Sequence, residues 1–238
     1  MLIRVWEFTP NPKRRVAFVE AYGPDGAWST LFREGPGFLG VELLQSVTAE
    51  GRYLTLDRWR DATSWEAFLH ARQRRYLELD GECRALVEHE RELGTLRPAV
   101  PDDARPVAAM AGELGYPTDP GVMRARLEVV ASKPDELALV AESMARRLVG
   151  WVHVFSAIRL ESPPYAEIGG LVVTAPARNS GIGQALLASA EAWARDRGFA
   201  DMRIRSNVRR ERAHRFYERC GYASPKSQHV FVKPLAGT

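Results

Sequence analysis

The sequence of 238 residues is poor in cysteine and has no long apolar run. Its two cysteines, Cys83 and Cys220, lie far apart, so they indicate neither a metal site nor a disulfide framework, and a reducing cytoplasm is favoured. No stretch of about 18 apolar residues appears, and the N-terminal residues lack the apolar core of a signal peptide. We therefore expect a soluble, cytoplasmic protein with no membrane span, no membrane partner and no bound metal.

The charge of the chain is nearly balanced overall but concentrated locally. The formal net charge is +3, and hydrophobic residues make up 45% of the chain, which is typical of globular proteins. Residues 178–219 hold ten arginines and five acidic residues. A local excess of this kind favours a small polyanion over a nucleic-acid duplex, which needs a broader basic face.

The first half of the chain predicts an α+β unit in the order β-α-β-β-α, which is most of a ferredoxin-like domain. Alternating apolar residues predict strands over 2–8, 38–47 and 53–59. Helices are predicted within 13–33 and, as one or two helices, over 64–92, with Ser64 as a candidate N-cap and Gly94 as the C-terminal stop. We place a domain boundary here, giving domains 1–93 and 94–238.

The second half predicts an α/β domain with a mixed, splayed sheet. A short strand over 96–99 precedes two helices, capped by Asp102 or Asp103 and by Thr118 or Asp119. The elements that follow are strands 137–142, 148–158 and 165–174, helix 181–197, strand 202–206, helix 210–220 and a last strand 229–233.

A glycine-bearing loop, Arg178-Asn-Ser-Gly181-Ile-Gly183, joins a predicted strand to a predicted helix. Helix N-termini leave backbone N–H groups unpaired and carry partial positive charge, so they bind phosphate groups. The two glycines allow a ligand to approach the backbone, although such a loop also occurs for packing alone. In the preceding strand, Gly169-Gly170 indicates a bulge that leaves backbone groups free for an extended ligand.

A second motif, with Ala213, Tyr217, Gly221 and Tyr222, follows on the next helix. Together with the loop, it resembles the GNAT family, the GCN5-related N-acetyltransferases that use acetyl-coenzyme A. The family patterns are Q/R-x-x-G-x-G/A and A-x-x-x-Y-x-x-x-G-F/Y, and the resemblance covers about residues 94–238. One departure is Arg210, which stands where the family often has Asn.

The resemblance implies the residues of a cofactor site. Backbone N–H groups of 179–184 would hold the coenzyme A pyrophosphate, and Leu171 and Val173 would pair with the pantetheine arm. The implied cofactor-binding residues are Leu171, Val172, Val173, Arg178, Asn179, Ser180, Gly181, Ile182, Gly183, Gln184, Asn207, Arg212, Ala213 and Phe216.

Family chemistry implies two catalytic residues. Glu167 would accept the proton of the attacking amine, because a carboxylate in a desolvated cleft accepts protons near neutral pH. The alternative is a strand Glu on a solvated face. Tyr217 would donate a proton to the leaving thiolate, with core packing as its alternative. His153 lines the acceptor cleft or is packed on its strand.

Residues 1–93 resemble the antibiotic biosynthesis monooxygenase (ABM) superfamily of dimeric α+β barrels. The motifs that carry this resemblance are Val5-Trp6-Glu7-Phe8, Leu31-Phe32, Gly37-Phe38-Leu39-Gly40, Tyr53–Trp59 and Trp65-Glu-Ala-Phe68. It implies a homodimer formed through this domain, and a role in dimerisation or in shaping the acceptor site. The last strand of such a domain falls near residues 94–97, which the GNAT resemblance also claims.

These observations predict an acetyl-coenzyme A-dependent N-acetyltransferase acting on a primary amine by direct attack in a ternary complex. The expected acceptor is a small molecule, and a protein amine is open; no nucleic-acid partner is expected. Two alternatives stay open. One is a cofactor-independent or heme-linked monooxygenase in the first domain, where Trp65 and His70 suggest a heme pocket; the other is an acyl-coenzyme A sensor without turnover.

Overall fold

The structure, a computed structural model, describes residues 1–235. The chain forms two compact units, Met1–Ile204 and a smaller one that begins at Arg205. The first unit contains strands β1 (Leu2–Pro10), β2 (Phe38–Gln45), β3 (Tyr53–Trp59), β4 (Val87–Pro98), β5 (Glu136–Ser143), β6 (Leu148–Arg159), β7 (Ser162–Val173) and β8 (Met202–Ile204). Its helices are α1 (Arg15–Tyr22), α2 (Ala27–Phe32), α3 (Ala62–Cys83), α4 (Ala104–Glu113), α5 (Pro120–Ser132) and α6 (Ile182–Asp196). None of the helices described is long and apolar enough to cross a bilayer.

The eight strands form one mixed sheet in the order β2-β3-β1-β4-β5-β6-β7-β8. Neighbouring strands are antiparallel except β7 and β8, which are parallel. The elements from β1 to β4 follow the order β-α-β-β-α-β of a ferredoxin-like unit, in agreement with the prediction for the first half. The sheet of that unit therefore continues directly into the strands of the second half.

Strand β4 belongs to both halves of the sheet. Residues 87–96 pair with β1, and residues 94–98 pair with β5. One strand thus supplies the last edge of the first half and the first edge of the second, at the residues 94–97 that both family resemblances claim. The expected boundary between 93 and 94 lies inside this strand.

The predicted helix over 64–92 is wrong at its C-terminal end. The N-cap of α3 is Asp61, whose side chain accepts a hydrogen bond from the Ser64 amide, so the predicted Ser64 cap is also wrong. Helix α3 stops at Cys83, and residues 87–92 are part of β4. Glu92 forms an ion pair with Arg4 of β1 at 2.9 Å, and Arg91 forms one with Glu7 at 2.9 Å. Cross-strand pairs of opposite charge stabilise the strand and override the helical preference of this charged segment. Gly94, expected to end the helix, lies beside a β-bulge instead.

One face of the first half packs on an aromatic core. Phe8, Phe18, Tyr22, Phe32 and Trp59 are all at most 5% exposed and contact α1, α2 and α3. Burying aromatic side chains of this size supplies most of the stabilisation available to a small unit. This core explains the aromatic motifs of the sequence by packing.

The opposite face of the first half lies under α6. Leu54 and Leu56 are fully buried on that face, and Leu54 is the neighbour of Gly181 at the start of α6. At the other end of α6, Arg195 forms an ion pair with Glu42 of β2 at 2.9 Å. The expected homodimer through this domain stays a prediction, and this covered face is not available for sheet-to-sheet pairing.

Helices α4 and α5 pack together on the second half of the sheet, with Val140 and Val172 in their core. Asp119 caps α5 by accepting hydrogen bonds from the Gly121 and Val122 amides, as predicted. Asp103 precedes α4, accepts a hydrogen bond from the Val100 amide and pairs with Arg97 of β4 at 2.8 Å. The predicted cap of α5 is confirmed, whereas Asp103 stands at the N-cap position of α4 without making a side-chain capping bond to it.

The second unit contains helix α7 (Glu211–Arg219) and an irregular segment. The predicted strand over 229–233 is wrong, since the described residues 223–235 adopt no regular structure. Apolar residues such as Phe231, which is 93% exposed, form a strand only where a free edge pairs with them, and no such pairing occurs in the described part of the chain.

Candidate functional site

The predicted cofactor loop begins α6 with a left-handed turn. Asn179 has φ +62° and Gly181 has φ +93°, the conformation that glycine adopts most readily. Gly181 is the N-cap residue of α6, and Ala185 donates to its carbonyl oxygen at 2.9 Å. The turn thus directs the backbone of residues 180–184 along the start of the helix.

Five successive amides of this loop lack a protein acceptor. Among residues 1–235, no carbonyl or side chain accepts a hydrogen bond from the N–H groups of residues 180–184. Unpaired amides at a helix N-terminus carry partial positive charge and bind anionic oxygens. The loop can therefore hold a phosphate or pyrophosphate group.

The first half of the chain supports this loop from one side, through the β2–β3 turn (residues 46–52). The Gln184 side chain, 8% exposed, donates to the Gln45 carbonyl at 2.8 Å and accepts from the Val47 amide at 3.0 Å. A Cβ on Gly181 would lie 2.8 Å from the Leu54 side chain. The Gln184 side chain therefore fixes the start of α6 to β2. Only the backbone N–H of Gln184 remains for a ligand.

Replacing Gln184 with Leu is expected to lower the free energy of unfolding by about 2 kcal/mol, because the Val47 amide and the Gln45 carbonyl lose their partner. Urea denaturation measures this change. The exposed Gln73 of α3, changed to Leu, is the matched control and should stay within about 0.5 kcal/mol of the wild type. Equal stabilities of the two variants would contradict the supporting role.

Strand β7 bulges where the sequence predicts it. Residue 170 pairs with His153, but residue 168 pairs with Val154, so Gly169 is the extra residue. Beyond the bulge, β8 no longer follows β7, because their pairing ends at Ile168 and Ile204. Among the described residues, the edge of β7 from Gly169 to Val173 therefore has no strand beside it on the β8 side.

The backbone of this free edge alternates in direction. Thr174 donates to the Val149 carbonyl of β6, so in an antiparallel pair Leu171 and Val173 direct their backbone groups away from β6, toward the open side. Val172 pairs with Trp151 and buries its side chain beneath α4 and α5, so it does not face the open side. Leu171 and Val173 are placed as an extended ligand requires.

Arg178 folds back onto this edge. Its Nε donates to the Val173 carbonyl at 3.0 Å, and its Nη2 lies 3.4 Å from a Glu113 carboxylate oxygen. The Val173 carbonyl is consequently occupied, and the charge of Arg178 is shared with Glu113. A ligand that binds Arg178 would have to compete with these contacts.

Glu167 lies two residues before the bulge and is only 9% exposed. Its Oε2 accepts a hydrogen bond from the Tyr165 hydroxyl at 3.4 Å and lies 3.9 Å from Arg159 Nη2. The Arg203 guanidinium stacks over the Tyr165 ring at 3.7 Å. The alternative of a solvated strand carboxylate is excluded by this burial.

His153 of β6 faces the bulge. A Cβ on Gly169 would lie 2.9 Å from the His153 Nδ1 atom, so glycine is required for this close approach. The other ring nitrogen, Nε2, lies 3.0 Å from Glu136, which also binds Lys133 at 2.6 Å. Burial alone would raise the pKa of Glu136, but the hydrogen bonds from Lys133 and His153 outweigh it and lower that pKa.

The second unit carries the second motif on α7. Ala213, Phe216 and Tyr217 are half-buried along this helix, whereas Arg212 is exposed. Burial raises the pKa of the Tyr217 phenol, opposed by the nearby Arg210 charge, so the hydroxyl keeps its proton at neutral pH. Asn207 shapes the turn before α7, since its Oδ1 accepts from the Arg209 amide at 3.0 Å.

Other candidates from the sequence have structural roles. His70 is exposed on α3, and Trp65 packs against Arg4, with 4.1 Å between the guanidinium carbon and the ring centre. No group of three or more potential metal ligands comes together within residues 1–235. The sequence interpretation missed the contact of Gln184 with β2; a polar residue on an otherwise apolar helix face was the available signal.

Comparisons with known proteins identify the families of both halves of the chain. Residues 113–222 match the family model described as acetyltransferase (GNAT) family, and residues 1–76 match that of antibiotic biosynthesis monooxygenase. An aminoglycoside 6'-N-acetyltransferase structure from Acinetobacter haemolyticus has 16% identity and a TM-score of 0.53, over 59% of this chain and 99% of that one. At that identity the likeness shows the fold alone.

Curated relatives match at higher identity. An uncharacterised N-acetyltransferase of Bacillus subtilis is 32% identical over 113 residues, which is 46% of this chain and 76% of the relative. The aminoalkylphosphonate N-acetyltransferase of Salmonella typhimurium is 45% identical over 69 residues, 29% of this chain and 44% of that protein. The aminoglycoside N(6')-acetyltransferase of Stenotrophomonas maltophilia is 35% identical over 75 residues, 32% of this chain and 49% of that protein. The chain is therefore an N-acetyltransferase of the GNAT family, with an ABM domain in its first half.

Proposed function

We propose that this protein transfers an acetyl group from acetyl-coenzyme A to a primary amine of a small molecule, by direct attack within a ternary complex. The observation that carries the proposal is the row of acceptor-free amides at residues 180–184, together with the β7 edge at Leu171 and the Val173 amide, which has no strand beside it on the β8 side. The amides suit the pyrophosphate, and the edge suits an extended arm carrying amide groups. Acetyl-coenzyme A is the co-substrate of this family.

The choice of a small acceptor is supported by the relatives. One curated relative is named for an aminoglycoside and another for an aminoalkylphosphonate, and both names denote small molecules that carry an amine. The matches to these two proteins span less than half of their lengths, and we therefore name the acceptor by class, a small molecule with a primary amine.

We assign the proton transfers to Glu167 and Tyr217. The amine nitrogen attacks the thioester carbonyl carbon, and the carbon–sulfur bond breaks. Glu167 takes the proton released by the amine; its burial and its tyrosine hydrogen bond hold it in place. Tyr217, whose phenol pKa is raised by burial, gives its proton to the thiolate of coenzyme A.

Release of the coenzyme A thiol, measured with a panel of small amines, tests the proposed function. Amine-dependent release with formation of the N-acetyl product supports it. Tight binding of acetyl-coenzyme A with no release for any amine would identify a sensor and overturn the proposal. Consumption of oxygen with a quinol and no thiol release would favour an oxygenase.

Replacing Tyr217 with Phe is expected to lower kcat about 10–100-fold, because the leaving thiolate then takes its proton from water. The Michaelis constant for acetyl-coenzyme A should change little. Steady-state thiol release measures both constants, and the same change at the exposed Tyr116 is the matched control. An unchanged kcat would remove Tyr217 from the acid role.

A further inference from the structure

A pocket in the first half of the chain lies between the sheet and helices α1, α2 and α3, and the proposed transfer does not use it. Its empty space is about 430 Å³ when the open mouth is included. Six aromatic side chains line it: Trp6, Phe8, Tyr22, Trp28, Phe32 and Tyr76. They form a continuous band, in which the Trp28 and Tyr76 ring centres are 5.0 Å apart and those of Phe8 and Tyr22 are 4.7 Å apart.

Three carboxylates line the same pocket: Asp57, Asp80 and Glu90. None of them forms an ion pair within 4.0 Å among the described residues. Asp57, 6% exposed, pairs across the sheet with Arg4 of β1, but the Arg4 guanidinium is bound to Glu92 at 2.9 Å. The nearest cation is therefore already neutralised by a carboxylate outside the pocket lining.

A neutral group partners Asp57 in the pocket. The Thr55 hydroxyl, which also lines the pocket, hydrogen-bonds to the carboxylate. Burying a carboxylate without an ion-pair partner still costs free energy that packing alone does not require. A buried carboxylate of this kind in a cleft suits a cationic ligand.

We propose that this pocket binds a small organic ammonium ion. The positive head would lie against Asp57, with Asp80 and Glu90 toward the mouth, and the apolar body would pack on the aromatic band. Aromatic faces and carboxylates together are the chemistry that recognises an ammonium group. The domain already holds one cation in this way, since Arg4 lies over the Trp65 and Trp6 rings.

The protonation state of Asp57 makes the binding depend on pH. Burial raises the pKa of Asp57 to about 7, opposed by Arg4 and by the Thr55 hydroxyl and reinforced by Glu92. The other titratable groups that line the pocket are Tyr22, Tyr76, Asp80 and Glu90. Burial and the neighbouring Asp80 also raise the pKa of Glu90. The Asp57 shift leaves less negative charge in the pocket at pH 6 than at pH 8, so affinity for a cation should fall between pH 8 and pH 6.

Calorimetric titration of the full chain with benzylammonium, and with benzyl alcohol as its neutral isostere, tests the proposal. At pH 8 the cation should bind at least 10-fold more tightly than the alcohol, and this preference should shrink at pH 6. Changing Asp57 to Asn should weaken binding of the cation at least 10-fold and leave the alcohol unaffected. Changing Asp80, which lies toward the mouth, to Asn should weaken binding of the cation by a smaller factor.

Two controls separate this site from others. Glu66→Gln, at an exposed carboxylate of α3 outside the pocket, should bind the cation like the wild type. Glu167→Gln should also bind like the wild type, because the proposed acceptor site is elsewhere. Equal affinity for the two probes, or loss of binding in Glu167→Gln but not in Asp57→Asn, overturns the proposal, and neither result bears on acetyl transfer itself.

Discussion

Replacing Glu167 with Gln is expected to lower kcat for amine acetylation about 10²–10³-fold, the range for loss of a general base. Glutamine keeps the shape of the side chain and can still accept the Tyr165 hydrogen bond, but it cannot take a proton. Binding of acetyl-coenzyme A should stay within about 2-fold, since the proposed cofactor contacts lie beyond the bulge. Steady-state thiol release and calorimetric titration measure the two effects.

Glu161 provides the matched control for this experiment. It lies on the β6–β7 turn, and both carboxylates approach the same arginine, with Arg159 at 3.8 Å from Glu161 and 3.9 Å from Glu167. Glu161→Gln therefore removes a neighbouring charge without touching the buried position, and its kcat should match the wild type. If both variants lose the same activity, the effect is electrostatic and Glu167 is not the base.

Replacing Gly94 with Ala should have the largest effect on stability, lowering the free energy of unfolding by about 4 kcal/mol or more. Gly94 has φ +133°, which strains any residue with a Cβ. The added Cβ would also overlap the Glu142 carbonyl oxygen of β5. That oxygen is part of the backbone that pairs β4 with β5, so it cannot move without breaking the ladder.

Gly40 separates the two causes of this effect. It has φ +144°, but a Cβ built there meets no atom within 4 Å. Gly40→Ala should therefore show the backbone strain alone, about 1–2 kcal/mol. Urea denaturation of both variants gives the difference, which measures the steric overlap at β4. Equal losses of unfolding free energy in Gly94→Ala and Gly40→Ala would mean that the β4–β5 junction tolerates a side chain.

Most element positions could be predicted from the sequence because their signals are local. Pro120 after Asp119 predicts the start of α5, and Gly181 and Gly198 enclose α6, where the structure places it. The segment 87–92 could not be predicted in this way. Its charges are typical of a helix, and only their partners on β1, 80 or more residues away, make it a strand.

In the candidate site, too, local features could be predicted from the sequence, whereas contacts between distant residues could not. The bulge at Gly169 and the left-handed Gly181 follow from glycine positions in the sequence. The contacts of Gln184 with β2 join residues 139 and 137 positions apart, which no motif spacing reveals. Asp57 is an intermediate case. Successive side chains of a strand point to opposite faces, so within Tyr53–Trp59 Asp57 shares a face with the two aromatic end residues. A carboxylate on that face was a signal of the pocket.

The strand shared by both halves also limits how such a chain can arise and be altered. A fusion of two modules usually leaves a linker at which either module can be exchanged. Here the junction is a hydrogen-bonded strand, and residues 94–98 must match residues 139–143 of β5 in register. A first half taken from another protein would have to supply the same edge, so neither module can be exchanged without matching this strand.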